Sequence, residues 1–161
     1  KRTNLKVICL ILSDLQISCA KFKKNQVNQE HLLETFLKPN GKDETFFYCD
    51  IDDFHSFNLK YSFEKGNFIL KRISEIFEYS LFIKDWLKID NDEFLAKCEG
   101  NFDQNKNSIF HLSEEINKKL KVSVSIGVSD MNINNAELNF KHLKSNLYLA
   151  KKNGKNKICY I

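Results

Sequence analysis

The run TFFYCDI, Thr45 to Ile51, constrains this chain more than any other feature, because an apolar stretch delivers Asp50 at its end and Asp52 and Asp53 directly after it. An apolar run of this length with polar flanks is expected to be a buried strand. Carboxylates crowded at the end of such a strand need compensation from water, a helix N-terminus or a cation. Two readings follow. Either Asp52 and Asp53 cap the helix that comes next, or some of these oxygens are ligands. For Asp53 the capping reading is preferred. For Asp50 the ligand reading is preferred, because a second acidic group, Asp92 and Glu93, sits at the tip of a later hairpin. Hard oxygen donors without His or Cys suit Mg²⁺ or Mn²⁺, and hence phosphoryl chemistry.

Periodicity orders the rest of the chain. Leu5 to Phe22 and Asn28 to Leu37 carry apolar helical patterns, the second stopped by Pro39-Asn40-Gly41. After the strand, Glu64 to Tyr79 places Ile69, Leu70, Ile73, Ile76 and Phe77 on one helical face. The short runs WLKI and EFLAKC, joined by Asp90-Asn91-Asp92, predict a β-hairpin. A helix over Ser108 to Leu120, a strand KVSVSIGVS, a helix over Asn135 to Asn153 ended by Gly154, and a last strand KICYI complete the order. The sum is β-α-β-β-α-β plus a terminal α-β. This is an α/β (α+β) fold, a palm-like relative of the ferredoxin arrangement with a central antiparallel sheet. Residues 1–40 are expected to be a helical lead-in and 41–161 the domain.

The remaining composition narrows the function classes. With 161 residues, 42% hydrophobic, 14 Phe and one Pro, the chain has a core for one domain. Its net charge of +4 comes from scattered Lys, which argues against nucleic acid as a partner. Phe46, Phe47, Phe57, Phe63, Phe68 and Trp86 are expected to pack in the core rather than to stack on bases. Five dispersed Cys form no zinc motif or disulfide framework, which fits a reducing, cytoplasmic setting. The longest apolar run, Val7 to Leu12, is far below the ~18 residues of a membrane span, so no membrane contact by this domain is expected. Because the chain begins Lys-Arg, it reads as a piece of a longer protein, with other domains N-terminal to it and any membrane anchor among them.

Four blocks in order, DIDDFHSFNLKYSFEKGNFIL, DNDEFLAKCEG, VSVSIGVS and NLYLAKKNGKNKI, resemble the signature regions of the GGDEF family of diguanylate cyclases. The resemblance runs from about Phe46 to Ile161. It implies a palm fold, GTP or another nucleoside triphosphate as ligand, two divalent metals, and a homodimer that joins two GTP into cyclic di-GMP. It assigns Asp50, the Ile51 carbonyl, Asp92 and Glu93 to the metals, with Asp92 and Glu93 as catalytic acids and Glu93 helping to activate the 3′-hydroxyl. Asn58 matches an Asn that bonds guanine, and Lys151 matches a Lys that contacts terminal phosphates.

The departures bear on activity. Asp90-Asn91 stands where the family has Gly-Gly, putting two side chains and a negative charge where backbone should approach the nucleotide. Such crowding and repulsion are worth several kcal/mol, on the order of 10²-fold in rate. Asn67 replaces an Asp that reads guanine, which leaves the base open, adenine included. His55 replaces a Lys near the phosphates and reads more simply as a surface histidine on a short helix. Lys155 replaces an Arg, exchanging a bidentate fork for a point charge. The product-inhibition motif would fall at Leu81 and Lys84 and is absent, and the family's leader before the first strand is not recognisable in KKNQVNQEHLLETF. The sequence thus points to a degenerate GGDEF domain, catalytically weak or silent, acting as a nucleotide-binding or interaction module. The alternative is an active cyclase that tolerates its unusual turn.

Overall fold

A computed structural model describes residues 31–38, 43–130 and 135–161. The helix expected over Leu5 to Phe22 lies outside the described residues. So does the start of the one expected over Asn28 to Leu37, of which residues 31–36 are helical.

The strand that ends in Asp50 is the centre of the sheet. This strand, β1 (Glu44–Ile51), is buried along its whole length. It pairs antiparallel with β3 (Glu93–Glu99) on one side and with β4 (Val124–Asp130) on the other. β2 (Ile83–Lys88) pairs antiparallel with β3, and β5 (Ile158–Tyr160) lies parallel to β4, so the order is β2-β3-β1-β4-β5. Between them run α1 (Phe54–Tyr61), α2 (Phe63–Tyr79), α3 (Phe102–Leu120) and α4 (Ala136–Lys152). The expected palm-like topology is the observed one.

Because side chains alternate across a strand, β1 builds two different faces. Phe47, Cys49 and Ile51 join Ile69, Ile73 and Phe77 of α2 and Ile109, Leu112 and Ile116 of α3 in one apolar core. Phe46 and Tyr48 point the other way, into a second core with Phe36, Leu37, Leu143 and Leu147. On that side α4 lies very close to the sheet. A Cβ added at Gly127 would stand 2.3 Å from the Leu147 backbone nitrogen and 2.4 Å from the Leu143 carbonyl oxygen, so the helix can approach only over a glycine.

Local chemistry explains where elements begin and end. The helix expected from Ser108 starts at Phe102, because Asn101 and Gln104 form a reciprocal capping box despite the polar sequence that follows. The strand expected from Lys121 starts at Val124, because Lys121 adopts a left-handed φ of 58° and closes α3 through its N–H to the Asn117 carbonyl. The hairpin forms between β2 and β3 as expected. Trp86, Phe46 and Phe47 are buried and Phe57 packs at the core edge, whereas Phe63 and Phe68 are exposed because the inward stripe of α2 runs through Gly66, Ile69, Ile73 and Phe77. Cys49, Cys98 and Cys159 carry free thiols. Among the described residues, no helix is long and apolar enough to cross a membrane.

Candidate functional site at the end of the central strand

Asp50 is the last acidic side chain that β1 carries on the α4 side of the sheet. It stands opposite Glu93 on β3 and opposite Ser125 on β4, and is only 6% exposed. The Lys151 ammonium, near the end of α4, lies 2.7 Å from Asp50 Oδ2. Burial raises the Asp50 carboxyl from 3.8 to about 6, Lys151 opposes that shift, and Asp92 and Glu93 add to it by repulsion. Even with an ammonium in contact, burial leaves the charged form of Asp50 disfavoured.

The hairpin supplies the other acids. Asp92 is raised as well, chiefly by burial, and its carbonyl accepts the Ile51 N–H at 3.2 Å, which ties the turn to the end of β1. Glu93 Oε2 accepts the Tyr48 hydroxyl at 2.5 Å. Burial and that carboxylate push the Tyr48 hydroxyl far above its usual range, so it stays a proton donor. Asp90 and Asn91 are exposed at the tip. The Asp90 carboxylate accepts the Asn91 N–H at 2.7 Å and contributes repulsion at Asp92.

The capping reading of Asp52 and Asp53 does not hold. Asp53 occupies the N-cap position of α1 with φ 54°, but its side chain makes no capping bond and pairs instead with the Lys155 ammonium. Asp52 turns inward. Its Oδ1 accepts the Ser125 hydroxyl at 2.7 Å, and its Oδ2 accepts the Ser123 hydroxyl at 2.8 Å and the Asn156 N–H at 2.9 Å. Residue-type reasoning missed this cluster, although Ser123 and Ser125 at alternate positions of a Val-rich strand were a signal for a polar partner on one face.

Around α1 and α2 the expected nucleotide-binding residues are more dispersed. Asn58 is half-buried, and its Oδ1 is enclosed without a hydrogen-bond partner. That oxygen lies over Gly66, where an added Cβ would stand 1.9 Å from it. His55 and Asn67 are exposed on α1 and α2. At the positions of the absent product-inhibition motif, Leu81 is fully exposed and Lys84 is paired with Glu44 at 3.2 Å and Glu99 at 3.3 Å. The structure therefore gathers Asp50, Asp92, Glu93, Lys151 and Lys155 at one end of the sheet and leaves Asn67 and His55 at the surface.

Among the described residues, no three His, Cys, Asp or Glu side chains converge as a ligand set for a metal ion. The donor chemistry nevertheless fits a hard divalent cation. The candidate donors are all oxygens, and burial raises both the Asp50 and the Asp92 carboxyls.

A scan against protein-family models finds no match, and a search of curated proteins finds none. Solved structures do match. The active GGEEF domain of a diguanylate cyclase from Vibrio cholerae superposes with a TM-score of 0.61 at 22% identity, covering 74% of this chain and 83% of that one. The coiled coil and GGDEF domain of DgcB from Caulobacter crescentus, in complex with c-di-GMP, gives 0.71 at 12% identity over 94% and 97%. The FimX GGDEF domain from Pseudomonas aeruginosa gives 0.68 at 14% identity over 86% and 92%.

An antiparallel-centred sheet with carboxylates at the end of its middle strand and on the neighbouring hairpin defines a palm-type α/β domain. Within that class, this chain has the fold of the GGDEF domains of diguanylate cyclases.

Proposed function

We propose that this chain is a degenerate GGDEF domain of a cyclic-dinucleotide signalling protein, one that binds a nucleoside triphosphate and is catalytically weak or silent. The observation that carries the reading is the substituted turn. Asp90 adds a carboxylate beside Asp92 where a triphosphate would need the backbone, and its bond to the Asn91 N–H stiffens the side chain in place. Glu93, the acid matched to 3′-hydroxyl activation, is in addition engaged by Tyr48.

In this reading Asp50, the Ile51 carbonyl, Asp92 and Glu93 hold Mg²⁺ or Mn²⁺, which when bound neutralises phosphate charge. Lys151 and Lys155 orient the phosphates as point charges. Asn58 holds the base edge, its enclosed Oδ1 being an acceptor in need of a donor. Asn67 adds an amide that offers both a donor and an acceptor, so the base is not restricted to guanine. The protein works within a longer signalling chain in the cytoplasm.

A second reading has its own support. Asp50, Asp92 and Glu93 lie together at one end of the sheet, as an active diguanylate cyclase that condenses two GTP across a homodimer requires. Incubating the purified chain at high concentration with GTP, ATP or both, plus Mg²⁺ or Mn²⁺, separates the two by mass analysis of products and titration of nucleotide binding. Binding without product is the expected result. Cyclic di-GMP that disappears in Glu93→Gln would establish the second reading instead, and neither binding nor product would leave an interaction module. The metal assignment has a separate readout, because Asp50→Asn with Asp92→Asn is expected to abolish Mn²⁺ binding, and unchanged affinity refutes it.

A further inference from the structure

Beyond α4 the chain runs through three consecutive residues with positive φ, Gly154 at 107°, Lys155 at 60° and Asn156 at 49°. Glycine adopts such a φ freely, whereas a lysine rarely does, and two non-glycine residues in a row need something to hold them. The first hold is local. The Lys155 N–H reaches the Ala150 carbonyl at 3.2 Å and the Gly154 N–H reaches the Lys151 carbonyl at 3.3 Å, so the loop folds back onto the turn that carries Lys151.

The second hold comes from Asp52. Asp52 as a residue is 9% exposed, and of the three donors to its carboxylate one is the Asn156 N–H at 2.9 Å. The other two, Ser123 and Ser125, fix the carboxylate to the start of β4, and the Asp52 N–H bonds the Ser123 carbonyl at 2.9 Å. The neighbouring Asp53 then meets the Lys155 ammonium. A buried carboxylate just past β1, held by three donors, thus clamps the loop that carries Lys155 and follows the turn carrying Lys151.

We propose that Asp52 is the positioning residue for the Lys151 and Lys155 cations, holding the left-handed loop against β1 so that both ammonium groups meet the triphosphate. The assignment rests on the nucleotide reading above. It concerns a carboxylate that reaches the loop through the Asn156 N–H while the Ser123 and Ser125 hydroxyls anchor it to the start of β4. Its sign is opposite to that of simple electrostatics. Removing a negative charge next to a triphosphate strengthens binding by charge alone, whereas loosening the clamp weakens it.

The test compares wild type, Asp52→Ala and Asp52→Ala with Asn156→Gly, titrating Mg²⁺-GTP and guanosine separately and following amide exchange at position 156 by NMR. The Asp52→Ala substitution removes both acceptor oxygens of the clamp, so nothing is left there to accept the Asn156 N–H. The expected result is about a tenfold loss of GTP affinity with guanosine affinity unchanged, and Asn156 exchange at least about tenfold faster. Glycine at 156 adopts the positive φ without the clamp, so the double variant should recover most of the GTP affinity. Equal losses for GTP and guanosine, or no rescue by glycine, would reduce Asp52 to a general stabilising role and overturn the assignment. A wild-type chain that binds neither ligand defeats the nucleotide reading itself. The Asn156 amide still decides the clamp in that case, since exchange unchanged in Asp52→Ala would show that no clamp exists.

Discussion

The two faces of β1 differ although they alternate residue by residue along one strand. On the side of α2 and α3, Phe47, Cys49 and Ile51 lie in an apolar core. On the side of α4, Phe46 and Tyr48 are likewise packed, but the next residue in that row is Asp50, beside Glu93 and Lys151. The first face gives stability. The second spends part of its burial on ionisable groups whose charged forms are disfavoured there. The candidate site thus lies where the apolar row of one face ends, while the opposite face continues unbroken to Ile51.

The contrast can be broken most severely on the apolar side. Phe77 is 1% exposed and packs against Phe47, Trp86 and Phe94 with ring centroids 5.3 to 5.9 Å apart. Phe77→Ala is expected to cost about 4 kcal/mol in a denaturant titration. Nucleotide binding by the remaining folded protein should be unchanged, and a selective loss of binding would mean that the faces are not separable.

Gly127→Ala acts on the other face. The new methyl meets backbone rather than a flexible side chain, so α4 must shift, at about 3 kcal/mol. Unlike Phe77→Ala, it should also move Lys151 away from Asp50, visible as a higher Asp50 titration point by NMR.

A third difference is pH dependence. The folded Asp50 carboxyl, at about 6, lies above its ordinary 3.8, so the folded state holds the proton more tightly than the unfolded state. Its contribution to stability is therefore fully present below about pH 4 and is lost as pH rises through about 6. In metal-free buffer this amounts to roughly 2 to 3 kcal/mol. Asp50→Asn should flatten that part of the stability profile, and an unchanged slope would assign the effect elsewhere. The smallest effect belongs to Tyr48→Phe, which removes the hydroxyl from Glu93 at about 1 kcal/mol. Mn²⁺ affinity should not fall in this variant, because the freed carboxylate remains.

The architecture was legible from the sequence because its signals are local. The run TFFYCDI, the apolar stripes of α2 and α4, the Asp90-Asn91 turn and the Gly154 stop each act within a few residues, and each of these elements appears where its pattern placed it. Asp50 with Asp92 and Glu93 was legible for a different reason, since topology brings together two acidic groups that the sequence marks separately. Asp52 was not legible. Its partners lie 71, 73 and 104 residues away, and nothing next to it distinguishes a buried acceptor from a helix cap. Phe63 and Phe68 failed for a related reason, because hydrophobic identity alone does not say on which side of the stripe a residue falls.

The shortness of β5 has a consequence for how the fold opens. Its ladder to β4 spans only Ile158 to Tyr160, none of which is fully buried, whereas β1 is enclosed by strands on both sides. Opening free energies follow such differences, so the carboxyl-terminal ladder belongs to the least protected part of the sheet. The segment that carries Lys155 leads directly into it. A brief opening of this ladder, without unfolding of the core, therefore leaves the loop that carries Lys155 held by the Ala150 carbonyl and the Asp52 carboxylate until the ladder closes again.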